Sequence, residues 1–503
     1  MDFKRILNLK VLLLFLIIVL SKPARGQEFQ NLKATTTRPY YDKVKADSIT
    51  ALKFHSSQKA VLIRAQKSYI SFNLFNASMN LVDDQKVKKS QKEVYLGEYI
   101  LGDRVIALTH SFAGRGFSTL YAYTYDVNTK KLDKKELIAT PIDKRLGLFS
   151  TKKNSEFIID DAKATFSIVT TFKRKDLIQY SFITFDANSL EKLYSQDLQR
   201  QDLRNYVILD VLLNKQGQLE VFGQFTAESL QAKKSDNAFY VATLDVIDEN
   251  GIVSKEFEID EPLPNGIQPI ATDTSIYMNT FIEAETGGVN QIETSVFDRN
   301  SFTRSDQLVY TFDQSVYEAF FGTERGNRKK KKSKGLGEFS INYIIPSGDN
   351  GYFVLAELKE IIVTMTGGAV SAGGSTTRTV YSDLLVFYID NSGVVVWADH
   401  VQKDTASYKR AYNAYIKDRQ LNILLNGGRN YDTTKNGDPN LKQGFLEGSA
   451  LYRVVYTLDG TQKVQKIQDN KDDYYLPRYG AYVNGKFIMI SDSRSKRRFM
   501  FLE

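Results

Sequence analysis

The residues of this chain that could do chemistry are few and scattered. Its 503 residues contain no cysteine and three histidines, His55, His110 and His400. No second histidine stands at a ligand spacing from any of them, so local sequence predicts no zinc site. Neither a G-x-S-x-G elbow nor a G-x-x-x-x-G-K-(S/T) loop is present. Asp83-Asp84, Asp160-Asp161 and Asp472-Asp473 are adjacent carboxylates. Neighbours on a strand point to opposite faces, whereas glycoside cleavage needs two carboxyls converging across roughly 5 to 9.5 Å. These pairs read as solvated turns. Asp248-Glu249-Asn250-Gly251 offers oxygens, but it lacks the alternating spacing and distal glutamate of a calcium loop and reads as a hairpin turn. A triad gathered from distant residues stays open. The expectation is a chain without metal or cofactor, with a non-catalytic role favoured over an enzymatic one.

The net charge of +8 is unevenly placed. Residues 1–26 hold five basic residues and one acidic, which leaves +4 for the other 477. Arg325, Arg328, Lys329, Lys330, Lys331, Lys332 and Lys334 supply +7 by themselves, so the remaining body is close to −3. A nucleic-acid binder spreads its basic face over the fold, and nucleic acid is not an expected partner. The basic run reads as a solvated insertion or a dock for an acidic partner.

The elements that would position any site are strands. Runs of four to nine residues rich in Val, Ile, Tyr, Phe and Thr recur between Asn, Asp, Gly and Lys breaks, and no long helical stripe follows residue 26. A turn of the form Asp-x-Asn-(Ser/Thr/Gly) recurs at Asp126, Asp186, Asp248, Asp298 and Asp390, with weaker copies at Asn76 and Asp459. The Asp can accept backbone N–H bonds, while Asn or Gly tolerates the left-handed conformation of a tight hairpin. From 76 to 459 the six intervals average about 64 residues, room for four strands each, which is one propeller blade. The marked hairpin would join the third and outermost strands. Apolar runs ahead of it, such as those at 206–213 and 219–225, fit strands buried on both faces near the channel.

Three strands follow the last marked hairpin, and the segment from about Phe29 to Ala46 could supply a fourth. The fold expected is therefore an all-β propeller of antiparallel four-stranded blades, eight favoured over seven, in a single domain from 27 to 503. Its last blade is shared by the two termini, which removes an open edge. An outer-membrane barrel is the competing architecture, but charged interruptions such as Ile416-Lys417-Asp418-Arg419-Gln420 break the continuous apolar face it needs.

The segment 382–400 (SDLLVFYIDNSGVVVWADH), preceded by GDNGYFVLAE at 348–357, resembles a blade of exported Bacteroidetes-type propeller-like repeat proteins. Asp390, Gly393 and Trp397 match that family's D-x-x-G-x-x-x-W pattern. What the resemblance implies is the fold, since such folds host many functions. Ser347-Gly348-Asp349-Asn350-Gly351 matches the opening of a sialidase Asp-box, but it occurs once, lacks the Thr-Trp that follows, and reads as a turn.

Lys4, Arg5 and Lys10 precede an apolar run from Val11 to Leu20 and a small-residue junction at Ala24 to Gln27. This is the layout of a cleaved signal peptide over 1–26, and ten apolar residues fall short of a membrane span. The protein is expected in the periplasm, at the cell surface or outside the cell, with no transmembrane segment after cleavage. In a four-stranded blade, loops joining second to third strands and loops between blades share one face. The insertions at 113–117, 227–236, 285–289, 364–379 and 426–449, with 322–335 between blades, all fall there. That face, near the basic run, Arg429 and Tyr431, is the expected binding surface for a protein or glycan of the envelope. The alternative is a carbohydrate-active, glycosidase-like propeller with carboxylates converging at the channel mouth.

Overall fold

The computed structural model describes residues 31–42, 49–112, 117–141, 152–160, 162–174, 177–198, 206–214, 216–227, 239–259, 268–348, 351–366, 374–403, 412–430, 432–433, 439–441, 447–471, 473–492 and 496–503. The signal segment 1–26 and Tyr431 lie outside them. The chain forms eight four-stranded antiparallel sheets arranged in a ring, an eight-bladed β-propeller. Blades 1 to 7 span 51–88, 93–141, 152–198, 207–259, 268–311, 339–401 and 412–469, and within each the strands run in order from the channel outward. Blade 8 takes three strands from 475–502 and its outermost, Ala34–Thr36, from the N-terminal side, paired with Phe499–Leu502. Separate blades of this kind set the membrane barrel aside. No helix among the described residues is long and apolar enough to cross a membrane.

The strand pattern follows the burial each position can achieve. Second strands are buried along their length, as in Gln420–Gly428, while outermost strands such as Leu81–Lys88 alternate with solvent. The inner strand of blade 4, Val207–Leu213, is only half-buried. Its apolar run does not mean burial on both faces, because one side looks into an open cavity at the channel mouth. Eight hydrophobic clusters fill the structure, one at each boundary between neighbouring blades, including blade 8 against blade 1. A ring of eight interfaces is what eight clusters require, and no blade is left with an uncovered face.

The marked turns sit between third and fourth strands, as their spacing predicts. Asp126 Oδ1 accepts the N–H groups of Asn128 and Thr129 at 2.9 and 2.7 Å. Asp186 and Asp298 repeat this with the second and third residues after them. These bonds, led by the one from the third residue, hold the three carboxyls below the ordinary range. In the turns of Asp390 and Asp459 a glycine has positive φ, Gly393 at 90° and Gly460 at 84°, as expected, but in those of Asp126, Asp186 and Asp298 the left-handed residue is not the Asn. It is the fourth position, Lys130, Leu190 and Phe302, with φ of 58°, 60° and 55°. In blade 7 the register differs again: Thr457 occupies the place of the Asp, and Asp459 accepts the N–H of Thr461, two residues on.

Of the insertions, 113–116, 228–236, 367–373, 431, 434–438 and 442–446 lie outside the described residues, and parts of the rest are regular structure. Residues 364–366 and 374–379 extend the two arms of a hairpin in blade 6, and 426–428 complete a strand. The basic run is not a loop. Between blades 5 and 6 the chain forms α1 (Gln314–Phe321) and α2 (Thr323–Lys331). Asp313 caps α1 through Val316 N, and Val316 and Tyr317 are buried against blades 5 and 6. Basic side chains in the last turn of α2 oppose the negative end of its dipole.

Candidate functional site

A cavity of about 980 Å³ opens where first-to-second-strand turns and marked Asp turns emerge. This is the face opposite the insertions. Inner strands of four consecutive blades line it: Ile158 and Ile159 from blade 3, Asp210, Leu212 and Leu213 from blade 4, Pro269 to Ala271 from blade 5, and Ile344 and Pro346 from blade 6. Leu212, Leu213, Leu244, Val246 and Ile270 make apolar walls, and Asn214, Gln216, Gln218 and Asn300 bring amides.

The charged groups of this cavity come from separate elements. Glu220, on the second strand of blade 4, is 5% exposed and pairs at 2.5 Å with Arg299, which the blade 5 turn delivers. Lys255 donates to the Asn300 carbonyl. Among the described residues, the Asp210 carboxylate accepts a hydrogen bond from the N–H of the next residue, Val211, at 2.8 Å and from no other group. Burial pushes its carboxyl up to about 6. Asp210 lies opposite Phe222 and Leu212 opposite Glu220, so the two carboxylates are diagonal neighbours on one face of the sheet. Sequence reasoning missed this group, since Asp210, Glu220 and Arg299 converge only after two strands and a neighbouring blade's turn are assembled.

The residues singled out in the sequence fall into different roles. Arg325, Arg328, Lys331, Lys332 and Lys334 are exposed on or just after α2, while Lys329 and Lys330 are half-buried. Arg429 pairs with Asp469 of its own blade at 2.8 Å. The Asp turns act as latches. Each is held by the preceding blade: Lys59 binds Asn128, Tyr99 binds the Ala187 carbonyl, Gln196 the Asp248 carbonyl, Lys255 the Asn300 carbonyl, Tyr277 the Asn391 carbonyl, and Trp397 the Leu458 carbonyl. At blade 8, which has no such hairpin, Gln465 grips both the N–H and the carbonyl of Leu32 at 2.9 Å.

The histidines and paired acids are structural. His55 bonds Ser57 and the Gly102 carbonyl, and His400 packs on Phe320 and lies 3.4 Å from Asp383. His110 contacts Ser155 Oγ at 2.7 Å, and burial lowers its ring to about 4. Asp83 and Asp84 are not a solvated turn. They lie on the outer strand of blade 1, where Asp83 accepts from Tyr125 and Asp84 from Asn73. Asp160 is a buried turn residue that accepts the Ala164 N–H, and Asp473 pairs with Arg498. Asp161 and Asp472 lie outside the described residues. Asp248 accepts from Asn250 and Gln218, so its oxygens are engaged in the turn. Among the described residues no three acids or histidines stand together as a metal site.

No protein-family model matches the chain, and no curated protein matches it significantly in sequence. Solved structures share the propeller architecture. A Dos1 propeller is 10% identical, with 93% of this chain and 94% of that one covered at a TM-score of 0.43. Sqt1 of Chaetomium thermophilum, solved bound to the N-terminus of ribosomal protein L10, is 12% identical, covering 93% and 99% at 0.44. An exo-β-1,3-galactanase of Phanerochaete chrysosporium is 7% identical, covering 80% and 91% at 0.29. Binding proteins and enzymes both stand among these likenesses, and at such scores they decide nothing about function.

Proposed function

We propose that this chain is a non-catalytic binding propeller, exported to the cell envelope, that takes a segment of a protein or glycan partner into the cavity at the Asp-turn mouth. The observation that carries this is the chemistry of the wall. Apolar side chains from four blades surround it, amides at strand ends offer orienting hydrogen bonds, and the Glu220–Arg299 pair neutralises itself. The basic residues, apolar run and small-residue junction of 1–26 support export. The test fills the cavity. Leu212→Trp with Ile270→Trp should abolish capture of a partner from the native envelope while leaving the melting temperature unchanged within a few degrees. Undiminished capture would remove the cavity from the function.

One observation favours a second reading. Asp210 is raised to about 6 and sits diagonal to Glu220, an arrangement in which it would serve a carbohydrate-active enzyme as proton donor. The binding reading is preferred because Glu220 is buried and held by Arg299 rather than presented to a substrate. Turnover of a polysaccharide by the wild type and its loss in Asp210→Asn would replace the binding reading with the enzymatic one.

A further inference from the structure

The basic helix stands apart from the cavity and is not used by it. None of the five cations on it, nor Lys332 and Lys334 just after it, takes part in an ion pair among the described residues, and the acid in its first turn is Glu324. Arg325, Arg328 and Lys329 stand at the i, i+3, i+4 spacing of a single helix face, and Lys332 follows at the C-cap, seven residues after Arg325. They rise about 10 Å along it. Like charges at these spacings repel, and the helix dipole relieves only those at its last turn.

The mount is rigid. Lys329 and Arg325 lie over the Phe321 ring at 5.2 and 5.3 Å, and Lys330 over Tyr317 at 5.3 Å while donating to the Phe312 carbonyl. Gly326 brings α2 against the backbone of Tyr317, where a Cβ would meet its carbonyl oxygen at 2.6 Å. The exit from α2 is pinned to blade 5 by Leu336 N to the Val289 carbonyl and Val289 N to the Gly337 carbonyl, at 2.8 and 2.9 Å. The helix pair therefore holds an unneutralised basic face in a fixed position on a body whose charge is otherwise near −3.

We infer that α2 is a docking site for an acidic peptide segment of a partner protein. The competing polyanions need features this surface lacks. A bilayer-seeking helix inserts an apolar face, but Val316, Tyr317 and Phe320 of the helix pair are packed on the propeller. Single-stranded nucleic acid needs rings on which bases stack, and the rings of Phe321 and Tyr317 are already covered by cations. What remains is a compact row of charge with two guanidinium forks, which match carboxylates two oxygens at a time.

The test uses the full chain and a labelled deca-glutamate peptide, followed by fluorescence polarisation. Arg325→Gln/Arg328→Gln/Lys332→Gln should weaken binding at least tenfold, as should raising salt from about 50 to 300 mM. Lys67→Gln/Lys88→Gln/Lys92→Gln, which removes as much exposed charge from blade 1 and its exit, should leave it within twofold. Arg325→Lys/Arg328→Lys keeps the charge and should retain most of the affinity, separating lost charge from a lost helix. Absence of binding to the wild type, an unaffected helix variant, or equal loss in the blade 1 variant would each overturn the inference. Tighter, α2-dependent binding of a single-stranded oligonucleotide or of phosphatidylglycerol vesicles would overturn the peptide assignment.

Discussion

The indole Nε1 of Trp397 donates to the carbonyl of Leu458 at 3.0 Å, so the one tryptophan of the chain fastens blade 6 to the marked turn of blade 7. The ring also stacks on Tyr456 at 5.3 Å, and Gly460, at φ 84°, lies so close that a Cβ there would stand 3.1 Å from the indole. Trp397 is thereby a latch between blades 6 and 7.

Replacing it measures the latch. Trp397→Phe keeps an aromatic ring but leaves the Leu458 carbonyl without this donor, and should lower the unfolding free energy by about 2 kcal/mol. Urea denaturation followed by circular dichroism gives the value. A change under about 0.5 kcal/mol would mean that the turn holds without the indole.

The closing seam rests on a buried carboxylate. Asp42 stands 2.7 Å from Arg497 Nε of blade 8 and also pairs with Arg64 of blade 1, all three less than a tenth exposed. Asp42→Ala would remove a carboxylate that two buried guanidinium groups share, a loss of about 3 kcal/mol or more. The expected result is a lower melting temperature with faster proteolysis ahead of blade 1. A variant as stable and as resistant as the wild type would show that strand pairing alone closes the ring.

Asp210 predicts a dependence on pH. Its folded-state value, about 6, lies above the ordinary carboxylate value of 3.8. The folded protein therefore holds this proton more tightly than the unfolded chain, a contribution fully present below about pH 4 and lost as pH rises through 6. Asp210→Asn removes the penalty of a half-buried charge, so it should raise the melting temperature by about 2 °C or more at pH 8 and leave it nearly unchanged at pH 4. A gain that is equal at both pH values would mean that the side chain acts through packing.

The architecture was legible because its signals are local. An Asp that accepts the N–H groups two and three residues on leaves a spacing any reader of the chain can count, and eight blades follow from the interval and the unmatched strand at the end. The backbone of the turn is less legible than its spacing: Gly393 carries the expected positive φ, but other copies use a different residue type. With Asp126 satisfying Asn128 N, the chain turns left-handed at Lys130, a position with no residue-type signal. Helix α1 had its cap in Asp313 and an apolar set in Val316, Tyr317 and Phe320, but eight residues beside a lysine run resemble a solvated insertion. The cavity lay beyond reach for a different reason. Asp210 and Glu220 are ordinary strand residues until Arg299 arrives from the next blade, 79 residues after Glu220.

The two ends of the ring meet where a hairpin turn would otherwise be. Lys33 N donates to the Glu503 carbonyl at 2.9 Å and Glu503 N to the Lys33 carbonyl at 3.1 Å. A short turn-forming peptide joined between Glu503 and Leu32 would make blade 8 an uninterrupted hairpin like the other seven, and the chain could then be opened at another blade's outer turn instead. The seam is thus a matter of connectivity rather than of geometry, and a circular permutant cut at the Asp186 turn should close its ring through blade 3.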